Sequence, residues 1–323
     1  IIADTTCSLP REVLKARGIP LIPQVVMFGE ESFHDDKELD TATFLAKLKS
    51  SPILPKTAAP EPTLYYPIFK QAQAKGESVI VVAPSGKVSG TVRSAETAAQ
   101  EFPEMNIHVV DTQTVSCNLG SLVLLADDLA KTGKSADEIV AKLNDMIPRG
   151  RIYFLVATLE YLAKGGRIGG AKKLLAELLE IKPILTIRAG QVEPFEQQRT
   201  HKRALARLEE IVHEQCPKSP EARLSVMQVE AEQEIQKSPF YEQWAKPQNL
   251  RDYCQTTLIK RPGMGGAVGA ASFNGRHSFD DKDRTPLCLL APHLRRSMLI
   301  GGLLDDGRYS LQLYRNLMDK LSI

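Results

Sequence analysis

Through the first half of the chain, short runs of β-branched and aliphatic residues alternate with stretches whose apolar positions recur every three or four residues. The runs at residues 1–4, 21–28, 78–83 and 107–110 predict strands, and the stretches at 40–48, 63–74, 89–101 and 119–131 predict helices. The stretch 119–131 is apolar almost all round, so its helix should be buried. After Ser135, residues Ala136, Ile139, Val140, Leu143 and Ile147 share one helical face, and Pro148-Arg149-Gly150 closes the segment. This alternation predicts an N-terminal α/β/α domain over residues 1–148 with a mainly parallel sheet.

Beyond that break the pattern predicts a strand at 152–157, a tight turn at Gly165-Gly166, and a helix aligning Ala171, Leu174, Leu175, Leu178 and Leu179. A hairpin then joins 184–188 to 192–195 through Ala-Gly-Gln, followed by a helix over 201–213 and a strand over 224–229. These elements predict a second α/β domain over 149–280, leaving 281–323 as a C-terminal segment without assigned structure. The composition changes along the way: all 23 glutamates lie at or before Glu242 and none in the last 81 residues, where an even spread would place about a quarter. A lineage-specific extension and a change of reading frame or origin near residue 240 both account for that shift.

Charge removes several function classes. Forty-one basic against 39 acidic residues leave a net charge of +2, so no overall field draws the chain to nucleic acid. Cys7, Cys117, Cys216, Cys254 and Cys288 lie far apart without a Cys-x-x-Cys pair, which fits a reducing cytoplasm and excludes a zinc ribbon. The apolar run at 298–304 is broken by Gly301 and Gly302 and is too short for a bilayer. The expectation is a cytoplasmic protein without a membrane anchor, metal or cofactor, for which transient membrane contact stays open.

Four segments carry candidate chemistry. Asp4-Thr5-Thr6-Cys7-Ser8-Leu9-Pro10 places short hydroxyls at the end of the first strand, although taken alone it reads first as a helix-capping sequence. Lys56-Thr57-Ala58-Ala59-Pro60-Glu61-Pro62 is a stiff loop presenting the Thr57 hydroxyl, or simply a connector. Ala83-Pro84-Ser85-Gly86-Lys87-Val88-Ser89-Gly90-Thr91 lies between an apolar strand and a helix start, with the hydroxyls and backbone N–H groups that suit an anion, or with an ordinary cap at Ser89. It is no Walker A loop, because Val88 follows Lys87 and the leading glycine is missing. Finally, the Gly165-Gly166 turn holds Arg167 at the mouth of the next helix, as a solvated arginine or an anchor for a phosphate or a protein partner.

Together these segments resemble a known family. Asp-x-Thr-x-x-Leu-Pro, Lys-Thr-x-x-Pro, Ser-Gly-Lys-x-Ser-Gly-Thr, Asp111 followed by Ser116 and Gly120, and Leu-Glu-Tyr-Leu-x-Lys-Gly-Gly-Arg-Ile followed by Ile181-Lys182-Pro183-Ile184 occur in the order found in the DegV family of bacterial fatty-acid-binding proteins. The likeness spans about residues 1–229. It implies a two-domain α/β fold with one long-chain fatty acid between the domains, its carboxylate held by Thr57, Ser89 and the Gly90 amide. Arg167 matches the arginine associated with docking a fatty acid kinase, which makes the acyl-phosphate, so the chain itself would be a carrier and not an enzyme. Ser85 is a candidate additional head-group contact. The family's His-Thr-Gly-Pro-Gly-like segment is replaced here by Lys260-Arg261-Pro262-Gly263, which makes Arg261 a candidate substitute for the missing histidine.

Two rival readings stand beside this one. Ser89 could be the nucleophile of an acyl hydrolase with His108 or His201 as base, but no Gly-x-Ser-x-Gly elbow surrounds it. The other is a scaffold or sensor with a vestigial pocket, docking a partner through Leu311, Tyr314, Leu317, Met318 and Leu321.

Overall fold

A computed structural model describes residues 1–35, 37–175, 181–216, 225, 227 and 229, together with the backbone of 250–261 and 264–273. The chain forms two compact units. One comprises Ile1–Cys216 with Arg223–Val226, and the other Pro217–Ala222 with Met227–Ile323.

The first unit opens with β1 (Ala3–Asp4), α1 (Arg11–Arg17), β2 (Leu21–Ile22), β3 (Val25–Phe28), β4 (Glu31–His34), α2 (Thr41–Ser50) and β5 (Lys56–Ala58). It continues with α3 (Tyr66–Lys75), β6 (Val79–Ala83), α4 (Thr91–Gln100), β7 (Ile107–Asp111), α5 (Ser116–Lys131) and α6 (Ala136–Met146). Then come β8 (Tyr153–Leu155), α7 (Glu160–Lys164), β9 (Lys182–Arg188), β10 (Gln191–Gln198) and α8 (His201–Gln215). β11 (Leu250–Arg261) and β12 (Met264–Phe273) pair antiparallel in the second unit.

The central layer is parallel. β1 pairs with β2, β6 pairs with β7, and Ile2 bridges the two pairs by donating to the Ile80 carbonyl and accepting from the Val82 amide, both at 2.9 Å. The order is therefore β2-β1-β6-β7. All five residues of β6 are buried, as a strand covered by helices on both faces must be. Ala3, Ile80, Val82 and Val110 face Leu14, Leu119, Val123 and Leu143 of α1, α5 and α6. Ile2, Val79, Val81 and Ala83 face Phe69, Ala95 and Ala98 of α3 and α4. The expected α/β/α layering is present.

The run 21–28 divides in two because Pro23 has no N–H to give a ladder. β2 stays in the parallel sheet, while β3 joins β4 and β5 in a separate antiparallel sheet. β4 was not foreseen. It returns on β3 through Gly29-Glu30, where Gly29 adopts a φ of +64° that favours glycine in a tight hairpin.

The expected break at 148 coincides with a 3-10 turn over Ile147–Arg149, inside the first compact unit. The antiparallel sheet β8-β9-β10 that follows has its own apolar clusters, one around Leu159, Leu174 and Leu185 and one around Ile184, Ala204 and Ile211. The helix expected beyond Gly166 is a 3-10 helix over Gly169–Leu174. A Cβ at Gly169 would lie 2.2 Å from the Val192 carbonyl oxygen, so glycine allows this segment to lie directly on the β10 backbone. Residues 176–180, most of 224–229 and all of 281–323, including the amphipathic 311–321 stretch, lie outside the described residues. Among those described, no helix is long and apolar enough to cross a membrane.

Candidate functional site

In the order β2-β1-β6-β7, the connections after β1 and β6 leave in opposite directions, and the crevice between their carboxyl ends is where open parallel sheets bind ligands. Both hydroxyl-rich segments begin there. Asp4 ends β1 and caps a 3-10 turn over Thr5–Cys7, accepting from the Thr6 amide at 3.1 Å and the Thr6 hydroxyl at 2.5 Å. The Ser85–Gly90 turn follows β6 and delivers Ser89 and Gly90 to the start of α4.

No side chain caps α4 from Gly90, its N-cap residue. Ser89 Oγ instead accepts from the Thr91 amide at 3.3 Å and lies 2.8 Å from Thr91 Oγ1. Thr91 Oγ1 donates to Asp4 Oδ2 at 3.2 Å, and Gln24 Nε2 donates to both Asp4 Oδ2, at 2.6 Å, and Thr91 Oγ1, at 2.8 Å. Asp4, Gln24 and Thr91 are buried, and the half-buried Ser89 brings this network towards solvent on the α4 side. Burial raises the Asp4 pKa above the usual carboxylate value, against the hydrogen bonds from Thr6, Gln24 and Thr91 that favour its ionised form. Tyr65 lies close enough for its phenol pKa to be pushed up, first by burial and then by the charge of Asp4.

The Lys-Thr loop meets the same turn. Thr57 lies on β5 opposite Val26 and is exposed, and among the described residues its hydroxyl has no protein partner. Two residues on, a Cβ at Gly90 would lie 3.2 Å from the Ala59 Cβ, and Ser94 of α4 donates to the Pro60 carbonyl at 2.5 Å. The two hydroxyl-bearing segments thus pack against each other at the end of the sheet.

Other candidates fall elsewhere. Ser85 is fully buried and donates to the Gly190 carbonyl at 2.7 Å, so its one proton is committed to the β9–β10 turn and not to a carboxylate. Arg167 points back to the turn, with Nε donating to the Val88 carbonyl at 3.2 Å. Arg261 pairs with Met264 in the second unit, and its side chain lies outside the described part. His108 is in register with Ile80, about 10 Å of strand before the carboxyl edge, and its Nε2 lies 3.4 Å from Asp137. His201 opens α8. A cleft of about 620 Å³ is walled by apolar residues such as Ile147, Ile187 and Phe195 but also by Asp111, Asn118, Arg151 and Arg188, whose polar groups make it a poor host for hydrocarbon.

The family model described as "Uncharacterised protein, DegV family" matches residues 1–250. The chain belongs to the DegV family. A DegV domain-containing protein of Deinococcus radiodurans is 37% identical over 227 residues, spanning 70% of this chain and 80% of the relative. Protein DegV of Bacillus subtilis is 31% identical over 238 residues, spanning 73% and 85%. Among solved structures, a Thermus thermophilus DegV family protein described as binding fatty acid superposes with a TM-score of 0.63 at 34% identity, covering 67% of this chain and 77% of that one. Bacillus subtilis DegV, described as a fatty acid binding protein, gives 0.59 at 32% identity, covering 66% and 76%.

Against this DegV frame, sequence reasoning passed over Gln24 and Tyr65. Gln24 follows Pro23 in what reads as a continuous strand, and Tyr65 falls inside the stretch 63–74 that reads as a helix. A polar residue directly after the strand-breaking proline was the one available signal for Gln24.

Proposed function

We propose that this chain binds a long-chain fatty acid with its carboxylate at Thr57, Ser89 and the Gly90 amide, and presents that carboxylate to a partner kinase for conversion to an acyl-phosphate. The observation that carries the reading is the packing of the Thr57 loop against the Ser89-Gly90 turn at the carboxyl edge between β1 and β6. Its lipid class is supported by DegV relatives described as binding fatty acid.

Burying a 16-carbon acyl chain at about 0.8 kcal/mol per methylene supplies roughly 12 kcal/mol of gross driving force, from which ordering and head-group desolvation are subtracted. The chain drives binding and the head group sets orientation. Neutral hydroxyl and amide donors keep a bound carboxylate ionised, because hydrogen bonds to the charged form oppose its desolvation. The ionised oxygen is the nucleophile that a kinase needs, so no general base is required of this chain. The hydrolase alternative is weakened by the position of His108, well back from the sheet edge that carries Ser89.

Native mass spectrometry of the purified protein tests the reading. A bound C16 or C18 acid, or uptake of added palmitate or oleate at one equivalent, is expected. Protein that is empty and ignores both acids overturns it. Incubating the loaded protein with a fatty acid kinase and ATP, and trapping acyl-phosphate with hydroxylamine, tests the presentation step.

A further inference from the structure

Thr91 Oγ1 has three polar neighbours and one proton: Asp4 Oδ2 at 3.2 Å, Gln24 Nε2 at 2.8 Å and Ser89 Oγ at 2.8 Å. Gln24 gives one amide hydrogen to Asp4 and the other to Thr91, which leaves two consistent arrangements for the hydroxyl protons. With Asp4 ionised, Thr91 donates to Asp4 and its remaining lone pair takes the Ser89 proton, so Ser89 points inward. With a proton on Asp4 Oδ2, Asp4 donates to Thr91, Thr91 donates to Ser89, and the Ser89 proton is released outward. Each donor and acceptor in the chain is satisfied both ways, and Ser89 Oγ accepts from the Thr91 amide throughout.

We propose that Asp4 and Thr91 are positioning residues forming a relay that decides whether Ser89 offers its proton to the head group of a bound anion. The proposal rests on the fatty-acid reading above and assigns two residues to its head-group site. Asp4 touches no ligand in this scheme; it acts through Thr91, which is fully buried.

Side chains from several elements enclose Asp4. The turn after β1 brings Thr6, the β2–β3 connection brings Gln24, the start of α4 brings Thr91, and the segment before α3 brings Tyr65, whose phenol stays protonated. Burial shifts Asp4 towards its protonated form. An anion accepting from Ser89 selects the outward arrangement, so binding takes up a proton and weakens as pH rises through the Asp4 titration.

The test uses an alkyl sulfonate of palmitate's chain length, whose head group stays ionised, with affinity measured by calorimetry in the full-length protein between about pH 5 and 9. The wild type should bind about tenfold more weakly at the upper end, with net proton uptake seen as a dependence on buffer ionisation enthalpy. Asp4→Asn removes the titrating carboxyl and should bind with a flat profile. Thr91→Val cuts the relay and should be flat and weaker, while Thr91→Ser should restore the slope. A wild-type slope retained in both Asp4→Asn and Thr91→Val overturns the relay but leaves fatty-acid binding intact. Absence of binding by the wild type to either palmitate or the sulfonate at every pH overturns the fatty-acid reading and the relay with it.

Discussion

Arg167 donates from Nε to the carbonyl of Val88 at 3.2 Å, so a side chain from 79 positions along the chain holds the residue immediately before Ser89. Its Nη1 also donates to the Gly165 carbonyl at 2.9 Å. The family resemblance gave Arg167 a partner-docking role, under which its loss would spare ligand binding. The contact with Val88 adds a second consequence. Arg167→Ala should weaken fatty-acid affinity about 3- to 10-fold, the value of one partly exposed hydrogen bond that orders a turn. Displacement of a fluorescent fatty acid measures this, and affinity equal to wild type would confine Arg167 to docking.

Removing either head-group hydroxyl should cost more. Thr57→Ala and Ser89→Ala are each expected to lose about 1–3 kcal/mol of fatty-acid affinity, because a desolvated carboxylate is left under-bonded. Titration calorimetry with palmitate reads the loss directly. Full affinity in both variants would remove the hydroxyls from the site.

Ser85 separates stability from binding. Its hydroxyl is buried against the Gly190 carbonyl, so Ser85→Ala leaves that acceptor unpaired and should lower unfolding free energy by about 1–3 kcal/mol. Urea denaturation should record this shift while affinity for palmitate changes little. The opposite pattern, lost affinity with unchanged stability, would return Ser85 to the head-group contacts.

Gly120 lets α5 lie against the turn that follows Asp4. A Cβ there would come within 2.5 Å of the Cys7 carbonyl oxygen and 2.9 Å of Leu9 Cγ. Gly120→Ala should therefore cost about 1–3 kcal/mol of overpacking and lower the melting temperature by several degrees. Because the displaced backbone adjoins Thr5 and Thr6, the same variant should bind fatty acid less tightly.

The Tyr65 hydroxyl is buried and has no hydrogen-bond partner among the described residues. Tyr65→Phe keeps the ring against Phe69, whose centroid is 5.8 Å away, and removes an unpaired polar atom. Stability should stay unchanged or rise by up to about 1 kcal/mol. A marked fall in melting temperature would mean that the hydroxyl is paired in solution.

Much of this was legible locally. The alternation of apolar strands and amphipathic helices gave the parallel layer and its two helical coats, because burial on both faces requires those periods. The hydroxyls at residues 4–8, 57 and 85–91 were readable too, since turn and cap chemistry is set by near neighbours. The split of the 21–28 run could have been read from Pro23, and the hairpin to β4 from Gly29.

The sequence by itself therefore determined the elements, the family resemblance and the hydroxyl-bearing turns. Only the tertiary structure decided how those turns are used: Gln24 linking Asp4 to Thr91, Ser85 turned inward to Gly190, and Arg167 reaching Val88. Those bonds join residues 20, 67, 105 and 79 positions apart. A short polar side chain carries the same local signature whether it faces a ligand or a distant carbonyl. Which it meets is fixed only when the packed cores bring separate elements within hydrogen-bonding distance.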